Sequence, residues 1–355
     1  MSAETRHLDG TNRFVRSSPE ARPMTLSVII VTLNRADCLR RCLECLAIQE
    51  PPPIETVVID ASSDDITARM MEAFPDVEYV RTDVGYGHMT ASRNLGLLRV
   101  SGDVIAFLDD DAFAHPGWSR ELLAPYEDAT VGGVGGRALN RQPGEESEGM
   151  NEIGKLTSRG RITGNFAANP GALIETDHII GCNMSWRRVI LAEMGGLRED
   201  YPGTEVREET DIALRVRQLG WRIVFNPDAV VDHLGAPHAK GRRFDVRYAY
   251  YAQRNHLALL VRNFGPAAGI LWRYLAASMQ EAVVEFVRRV GAAVLRAGAY
   301  VCGTIAGLAA GLTLFIRTGR QPIREDAKGI EIRASLRAAE PAQPEKLTQR
   351  DPVCP

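Results

Sequence analysis

The chain has 355 residues, a formal net charge of −3, 45% hydrophobic and 25% charged residues. That is room for one large domain with an appendage or for two modest ones, in an ordinary globular mixture whose charge gives no reason to invoke a nucleic-acid partner. Its cysteines, Cys38, Cys42, Cys45, Cys182, Cys302 and Cys354, form neither a disulfide framework nor a zinc spacing. They point to a reducing compartment.

Residues 1–24 read as a flexible polar tail with no secretory signal pattern. Leu26 to Leu33 is a short β-branched run, the pattern of a buried strand. Asn34 to Ala47 has helical spacing, with Cys38, Cys42 and Cys45 on one stripe suited to core packing, a soft-metal or redox site being the alternative. Ile54 to Ile59 predicts a second strand, Thr67 to Phe74 a helix and Val77 to Val80 a third strand. Thr90 to Val100 follows as a helix and Val104 to Leu108 as a fourth strand. This alternation predicts βαβ units, a mainly parallel sheet flanked by helices, with ligands at the carboxyl ends of the strands.

Gly132 to Asn183 reads as mixed strands and long loops. Val189 to Met194 and Asp211 to Gln218 read as helices, and Trp221 to Phe225 as a late strand leading through Pro227 to His233. The character changes near Arg243. Ala267 to Val294 is helical, and Ala297 to Ile316 carries no charge over twenty residues. That is long enough to cross a bilayer, though rich in Ala and Gly; an interfacial helix or a buried hairpin fits as well. Trp272, Tyr274, Phe286 and Tyr300, with Arg273, Arg288, Arg289 and Arg296, are candidates for a bilayer surface. Residues 321–355 read as a disordered tail.

Four polar clusters carry chemistry. Asp109, Asp110 and Asp111 directly follow the fourth strand. Adjacent carboxylates repel, and a divalent cation such as Mg²⁺ or Mn²⁺ offsets them; a solvated acidic turn is the plain alternative. Asp60 opens a second acidic cluster, able to accept from a base or a ribose, while Ser62, Ser63 and Asp64 are good helix caps. Glu208, Glu209 and Asp211 open a helix, where acids suit the dipole and where a general base would project. His233 follows a strand as Asp111 does, in position to complete a metal shell as neutral imidazole.

The order TLNR, VVIDASSDD, ASRNLGL, VIAFLDDD, GCNMSWRR and EETDIALRVRQLGWRIVFNPDAVVDH resembles the family-two inverting glycosyltransferases of the GT-A fold, over roughly residues 25–236. The resemblance implies a nucleotide pocket lined by Thr32, Asn34 and Arg35, with Asp60 reaching the base. It places Arg93, Asn94 and Asp110 on the donor side. It implies that Asp111 is the direct metal ligand, with Asp109 nearer the ribose and His233 as the late metal-binding histidine. Gly181, Asn183, Met184 and Trp186 would form the acceptor-side wall. Glu209 stands where the family usually has aspartate, so Glu209 is the expected base and Glu208 a second candidate.

The expected organisation is a tail at 1–24, a GT-A domain at 25–240, a helical and membrane-associated extension at 241–320 and a tail at 321–355. The expected donor is a UDP-, dTDP- or GDP-sugar. The expected acceptor is a saccharide or glycolipid for a cell-surface glycan, met at the cytoplasmic face of the membrane. A dinucleotide oxidoreductase would need a glycine-rich turn after the first strand, where TLNRAD stands. A sugar nucleotidyltransferase would need a glycine-rich basic loop there. A non-catalytic nucleotide-sugar-binding scaffold is the remaining alternative.

Overall fold

The computed structural model describes residues 22–85, 88–203, 205–234, 245–288 and 293–339, without the side chains of 281–297. In chain order the first half comprises β1 (Leu26–Thr32), α1 (Ala36–Ala47), β2 (Glu55–Asp60), α2 (Ile66–Met71), β3 (Glu78–Arg81), α3 (Met89–Leu97), β4 (Val104–Asp109), β5 (Ala112–Ala114), α4 (Trp118–Leu123) and β6 (Val131–Leu139). There follow β7 (Ile174–Glu175), β8 (Asn183–Arg187), α5 (Arg188–Met194), α6 (Glu208–Gln218) and β9 (Arg222–His233). The helices α7 (Val246–Phe264), α8 (Gly269–Arg288), α9 (Ala293–Thr318) and α10 (Ala327–Ala338) close the chain.

Among the described residues the strands form one sheet in the order β3-β2-β1-β4-β8-β6-β9-β5, with β7 on β9. The first four strands are parallel, and β8 runs antiparallel between β4 and β6. Strand alternation divides the core between two faces. Val28, Ile30, Val104, Ala106 and Leu108 pack on one side with Leu39, Leu43 and Leu46 of α1 and with Trp118 and Leu122 of α4. Ile29, Ile105 and Phe107 pack on the other with Leu97, Ile190, Leu191, Ile212 and Val216. Cys42 is buried in the first cluster and Cys45 packs against it, so these two stripe cysteines are core residues.

The segment from Gly132 to Asn183, expected to be mixed strands and long loops, opens in the nine-residue strand β6 and continues as loops that carry β7. The glycines of β6 allow close approach: a Cβ on Gly133 would lie 2.3 Å from the Trp186 ring, and one on Gly136 would lie 2.0 Å from the Ala229 carbonyl. Pro227 falls where the β6–β9 register shifts between Gly136 and Arg137, a bulge that needs no amide donor.

The expectation of a disordered tail at 321–355 is corrected by α10. Its cap is Asp326, which accepts from the Gly329 amide at 2.7 Å. Ile332 and Leu336 are fully buried against α3 and α5 in the second core cluster, a gain of about 1.5–3 kcal/mol for each side chain. Arg215, itself fully buried, donates to the Pro322 carbonyl at 2.6 Å and binds the incoming chain to α6. Residues 340–355 lie outside the described residues, as do 1–21; Arg22, also expected in a tail, pairs with Asp103 at 2.7 Å.

Helix α7 is the hinge pin of the C-terminal region. One side packs on α9, where Gly303, Gly307 and Gly311 let the two backbones approach: a Cβ on Gly307 would lie 2.5 Å from the Arg254 carbonyl. Its other side carries buried Asn255, His256 and Arg262 toward the loop before α6 and Asn263 toward Asp211 of α6 itself. Gly298–Thr318 is long and apolar enough to cross a membrane. Val301, Ile305, Leu312 and Ile316 are exposed along it.

Candidate active site

The site grows from the carboxyl ends of the strands. Parallel pairing sets Thr32 beside Asp60 and Val31 beside Asp109, so the polar residues after β1, β2 and β4 share one edge of the sheet. Antiparallel pairing of β5 with β9 then brings Ala112 opposite His233. Asp109, Asp111 and His233 consequently converge, each offering one ligand atom within 4.8 Å of the others. His233 Nε2 lies 3.5 Å from Asp111 and 3.9 Å from Asp109. Ligands at right angles around an ion with bonds of about 2.1 Å sit about 3 Å apart, so this set fits a small divalent cation after a slight contraction. Two carboxylates with one imidazole suit Mn²⁺ and tolerate Mg²⁺.

Cations hold the acids together. Arg35 donates through Nε to Asp110 at 3.1 Å and through Nη1 to Asp111 at 3.1 Å. Thr32 Oγ1 donates to Asp110 at 2.6 Å. Burial pushes the Asp110 carboxyl up to about 7, against the pull of Arg35 and Thr32. Arg93, 1% exposed, reaches Asp109 at 3.1 Å, the Gly181 carbonyl at 3.2 Å and Glu208 at closer range. Cys182, Asp111 and Asp109 all push the His233 imidazole up; the carboxylates are the charged part, because burial keeps the Cys182 thiol neutral.

The two candidate bases differ. Glu208 is buried and pairs with Arg93. Burial pushes its carboxyl up and Arg93 pulls it down. Glu208 and Asp109 in turn push the Arg93 guanidinium up against the cost of its burial. Glu209 is half-buried at the start of α6. Burial pushes it up, and Arg207 and Arg93 oppose that.

Several expected roles are corrected. Asn94 does not face the donor side: its amide donates to the Leu197 carbonyl at 2.8 Å and to Glu199 at 2.7 Å, and accepts from the Leu197 amide at 2.9 Å. It ties α3 to the loop after α5. Met184 and Trp186 point into the second core cluster, because alternate residues of β8 face away from the cleft. Asn183 is fully buried between the Trp118 indole, at 2.9 Å, and the carbonyls of Arg137 and Ala229. Asp60 has no exposed surface; it accepts from the Ser62 amide at 2.8 Å and the Tyr79 hydroxyl at 2.7 Å, and shapes the turn after β2.

Asn34, at φ 55°, links the first two strand ends: its amide donates to Ser62 Oγ at 2.7 Å and its side chain accepts from the Ser63 amide at 3.0 Å. A cleft of about 330 Å³ opens here between Asn34, Arg35, Cys38, Asp64, Ile66 and Thr67. Asp211 is no simple cap. It binds Arg198 at 3.0 Å, Tyr201 at 2.8 Å and Asn263 at 3.2 Å; against the cost of burial, Arg198, Arg215, Arg262 and the Tyr201 hydroxyl bring its carboxyl down to about 2. Tyr79, Glu205, Arg207 and His256 carry no motif in the sequence, and only the fold brings them to the site.

Residues 27–195 match the family model described as glycosyl transferase family 2. They form a family-2 glycosyltransferase domain. The glucosyl-dolichyl phosphate glucuronosyltransferase of Haloferax volcanii is 27% identical over 228 residues, covering 59% of this chain and 69% of that protein. The pre-mycofactocin glycosyltransferase of Mycobacterium tuberculosis is 27% identical over 224 residues, covering 61% of this chain but 44% of that protein. The chain thus spans less than half the length of this second relative. In fold, the chain is similar to the crystal structure of GalNAc-T7 with UDP, GalNAc and Mn²⁺, at a TM-score of 0.53 and 16% identity over 85% of this chain and 59% of that one. The glycosyltransferase domain is therefore a GT-A fold, with the acidic Asp109–Asp111 pair at its sheet edge.

Proposed function

We propose that the chain transfers a sugar, with inversion, from a nucleotide-sugar to a hydroxyl of a saccharide or lipid-linked saccharide, in the building of a cell-surface glycan. The observation that carries this reading is the convergence of Asp109, Asp111 and His233, with Arg93 joining Asp109 to the glutamate pair that opens α6. A divalent cation held by those three residues would offset the charge of the departing nucleoside diphosphate. Arg93 and Arg35 supply the fixed positive charge around it, in place before the donor arrives. Asn34 and the turn after β2 wall the nucleotide cleft, and Asp60 shapes that turn. Glu209 takes the proton from the acceptor hydroxyl, which attacks the anomeric carbon from the face opposite the leaving group. Glu208 is the weaker candidate, because Arg93 already engages it.

The reading includes a membrane surface on the cytoplasmic side. One face of α9 is covered by α7, and the same stretch of α7 carries Arg254 and Arg262, bound to the 200 loop. A bilayer span by α9 would draw these charges into hydrocarbon, so α9 lies in the interface with Val301, Ile305, Leu312 and Ile316 toward lipid. Trp272 is exposed on α8 and belongs to the same contact; Tyr274 does not, because its ring stacks on His256. Arg273 donates to the Ser158 carbonyl, and Tyr300 is half-buried. The side chains of Phe286, Arg288, Arg289 and Arg296 lie outside the described residues.

The test is binding and transfer across UDP-, dTDP- and GDP-sugars, with Mn²⁺, Mg²⁺ or chelator, followed by NMR of the product anomer. Metal-dependent transfer with inversion is expected. Retention refutes the mechanism, and binding without turnover leaves a nucleotide-sugar-binding scaffold.

A further inference from the structure

The turn that leads into α6 has an unusual backbone. Glu205 and Arg207 both lie in the left-handed region, at φ 52° and 87°. Each costs about 1–2 kcal/mol relative to ordinary backbone, so partners outside the turn must hold it. Glu205 accepts from the Thr90 amide of α3 at 2.8 Å. The Asn255 amide of α7 donates to the carbonyls of Pro202, at 3.2 Å, and Val206, at 3.1 Å. Arg207 Nε meets His256 Nδ1 at 3.1 Å, and His256 Nε2 meets the Gly160 carbonyl at 2.7 Å.

These contacts fix the state of His256. An arginine Nε–H can only donate, so Nδ1 must be the acceptor, and the ring proton sits on Nε2 and is given to Gly160. Burial, together with nearby Arg207, Arg161 and His178, brings the imidazole down to about 3 and keeps it neutral. The Tyr274 ring packs against it, with centroids 4.3 Å apart.

We propose that His256 is a positioning residue for sugar transfer, holding Arg207 in the left-handed turn that aims the next two residues, Glu208 and Glu209, at the cleft. The inference rests on the proposed transferase reading. It makes α7 part of the catalytic apparatus. Glu209 is bracketed by Arg207 before it, Arg93 from α3 and Glu208 beside it, so the place of Arg207 sets both the aim and the charge surroundings of the base.

Two near-isosteric variants separate the two hydrogen bonds. Asn offers an acceptor near the Nδ1 position, and Gln a donor near the Nε2 position. His256→Asn should keep Arg207 and lose Gly160; His256→Gln should keep Gly160 and lose Arg207. The readouts are hydrogen exchange of the 203–211 backbone in the intact protein and steady-state transfer. In His256→Gln, faster exchange is expected with a kcat loss of about tenfold, the equivalent of one hydrogen bond to a charged group, and an unchanged donor KM. In His256→Asn both readouts should stay near wild type. Equal exchange and equal kcat in the two variants would overturn the positioning role, as would a loosened turn with unchanged kcat. If wild type transfers no sugar while His256→Gln loosens the turn and His256→Asn does not, the transferase reading falls and the holding of the turn by His256 stands.

Discussion

The sheet-edge cleft and the C-terminal helices put their chemistry in place by different means. In the cleft, groups sit where a strand ends: Thr32, Asp60, Asp109 and His233 each close a strand, and parallel or antiparallel register does the rest. In the helical region no such rule operates. His256 and Asn255 are interior residues of a nineteen-residue helix, and they matter only because α7 lies against the turn before α6. A strand end can be found by counting along the chain, whereas a helix–loop contact depends on tertiary packing alone.

The sharpest way to break this contrast is at the metal cluster. Asp111→Ala removes the ligand 3.5 Å from His233. Calorimetry with Mn²⁺ and the preferred nucleotide-sugar should show metal-dependent binding lost, and transfer should fall by about 10⁴-fold, as expected for several kcal/mol of charge stabilisation. Retained binding would show that the strand-end acids serve only the fold.

The glutamate pair sharpens it next. Glu209→Gln should lower kcat by about 10³-fold while donor binding persists, in the range for a lost general base. The base works ionised. Burial pushes the Glu209 carboxyl up, so wild-type kcat/KM should decline as pH falls through that raised pKa, and Glu209→Gln should lack this acidic limb. Glu208→Gln should act on stability instead, because it withdraws a counter-charge from fully buried Arg93; breaking a buried pair costs about 3–5 kcal/mol. Denaturant titration of both variants separates the roles, and a reversed pattern would assign the base to Glu208.

The same contrast explains which expectations failed. The strand and helix pattern through His233 was legible because β-branched runs, helical spacing and acidic strand ends recur in order. The wall residues were misassigned because a motif records adjacency and not direction. Asn183, Met184 and Trp186 fall within one stretch of four residues, yet β8 turns two into the core and seals the third beneath the edge. Asn94 sits next to Arg93 but about 100° further round the helix, so one residue meets Asp109 and the other meets Leu197. Segment 321–338 was misread because its polar composition hid two buried residues, Ile332 and Leu336, spaced one helical turn apart. Asp326 three residues before Gly329 was a usable cap signal.

That correction can itself be tested. Ile332→Ala should destabilise the protein by about 2–5 kcal/mol in urea unfolding, as a buried aliphatic truncation does, because Ile332 has no exposed surface and packs on α3 and α5. Kinetic constants at saturating donor should change little. An unaffected unfolding curve would return this segment to the status of a tail.

The smallest expected effect lies where the two regions meet. A Cβ on Gly307 would lie 2.5 Å from the Arg254 carbonyl and 2.9 Å from Leu257 Cβ. Backbone cannot yield as a flexible side chain does, so Gly307→Ala must push α9 away from α7, at about 1–3 kcal/mol for overpacking. The strain falls two residues from His256 along α7, which allows a second reading. If α7 is fixed by its bonds to the 200 loop, α9 should move and the His256–Arg207 contact should survive; stability then drops while kcat holds. If α7 moves instead, kcat falls in proportion to stability, and the lipid contact proposed for α9 would be mechanically coupled to the turn that carries Glu208 and Glu209.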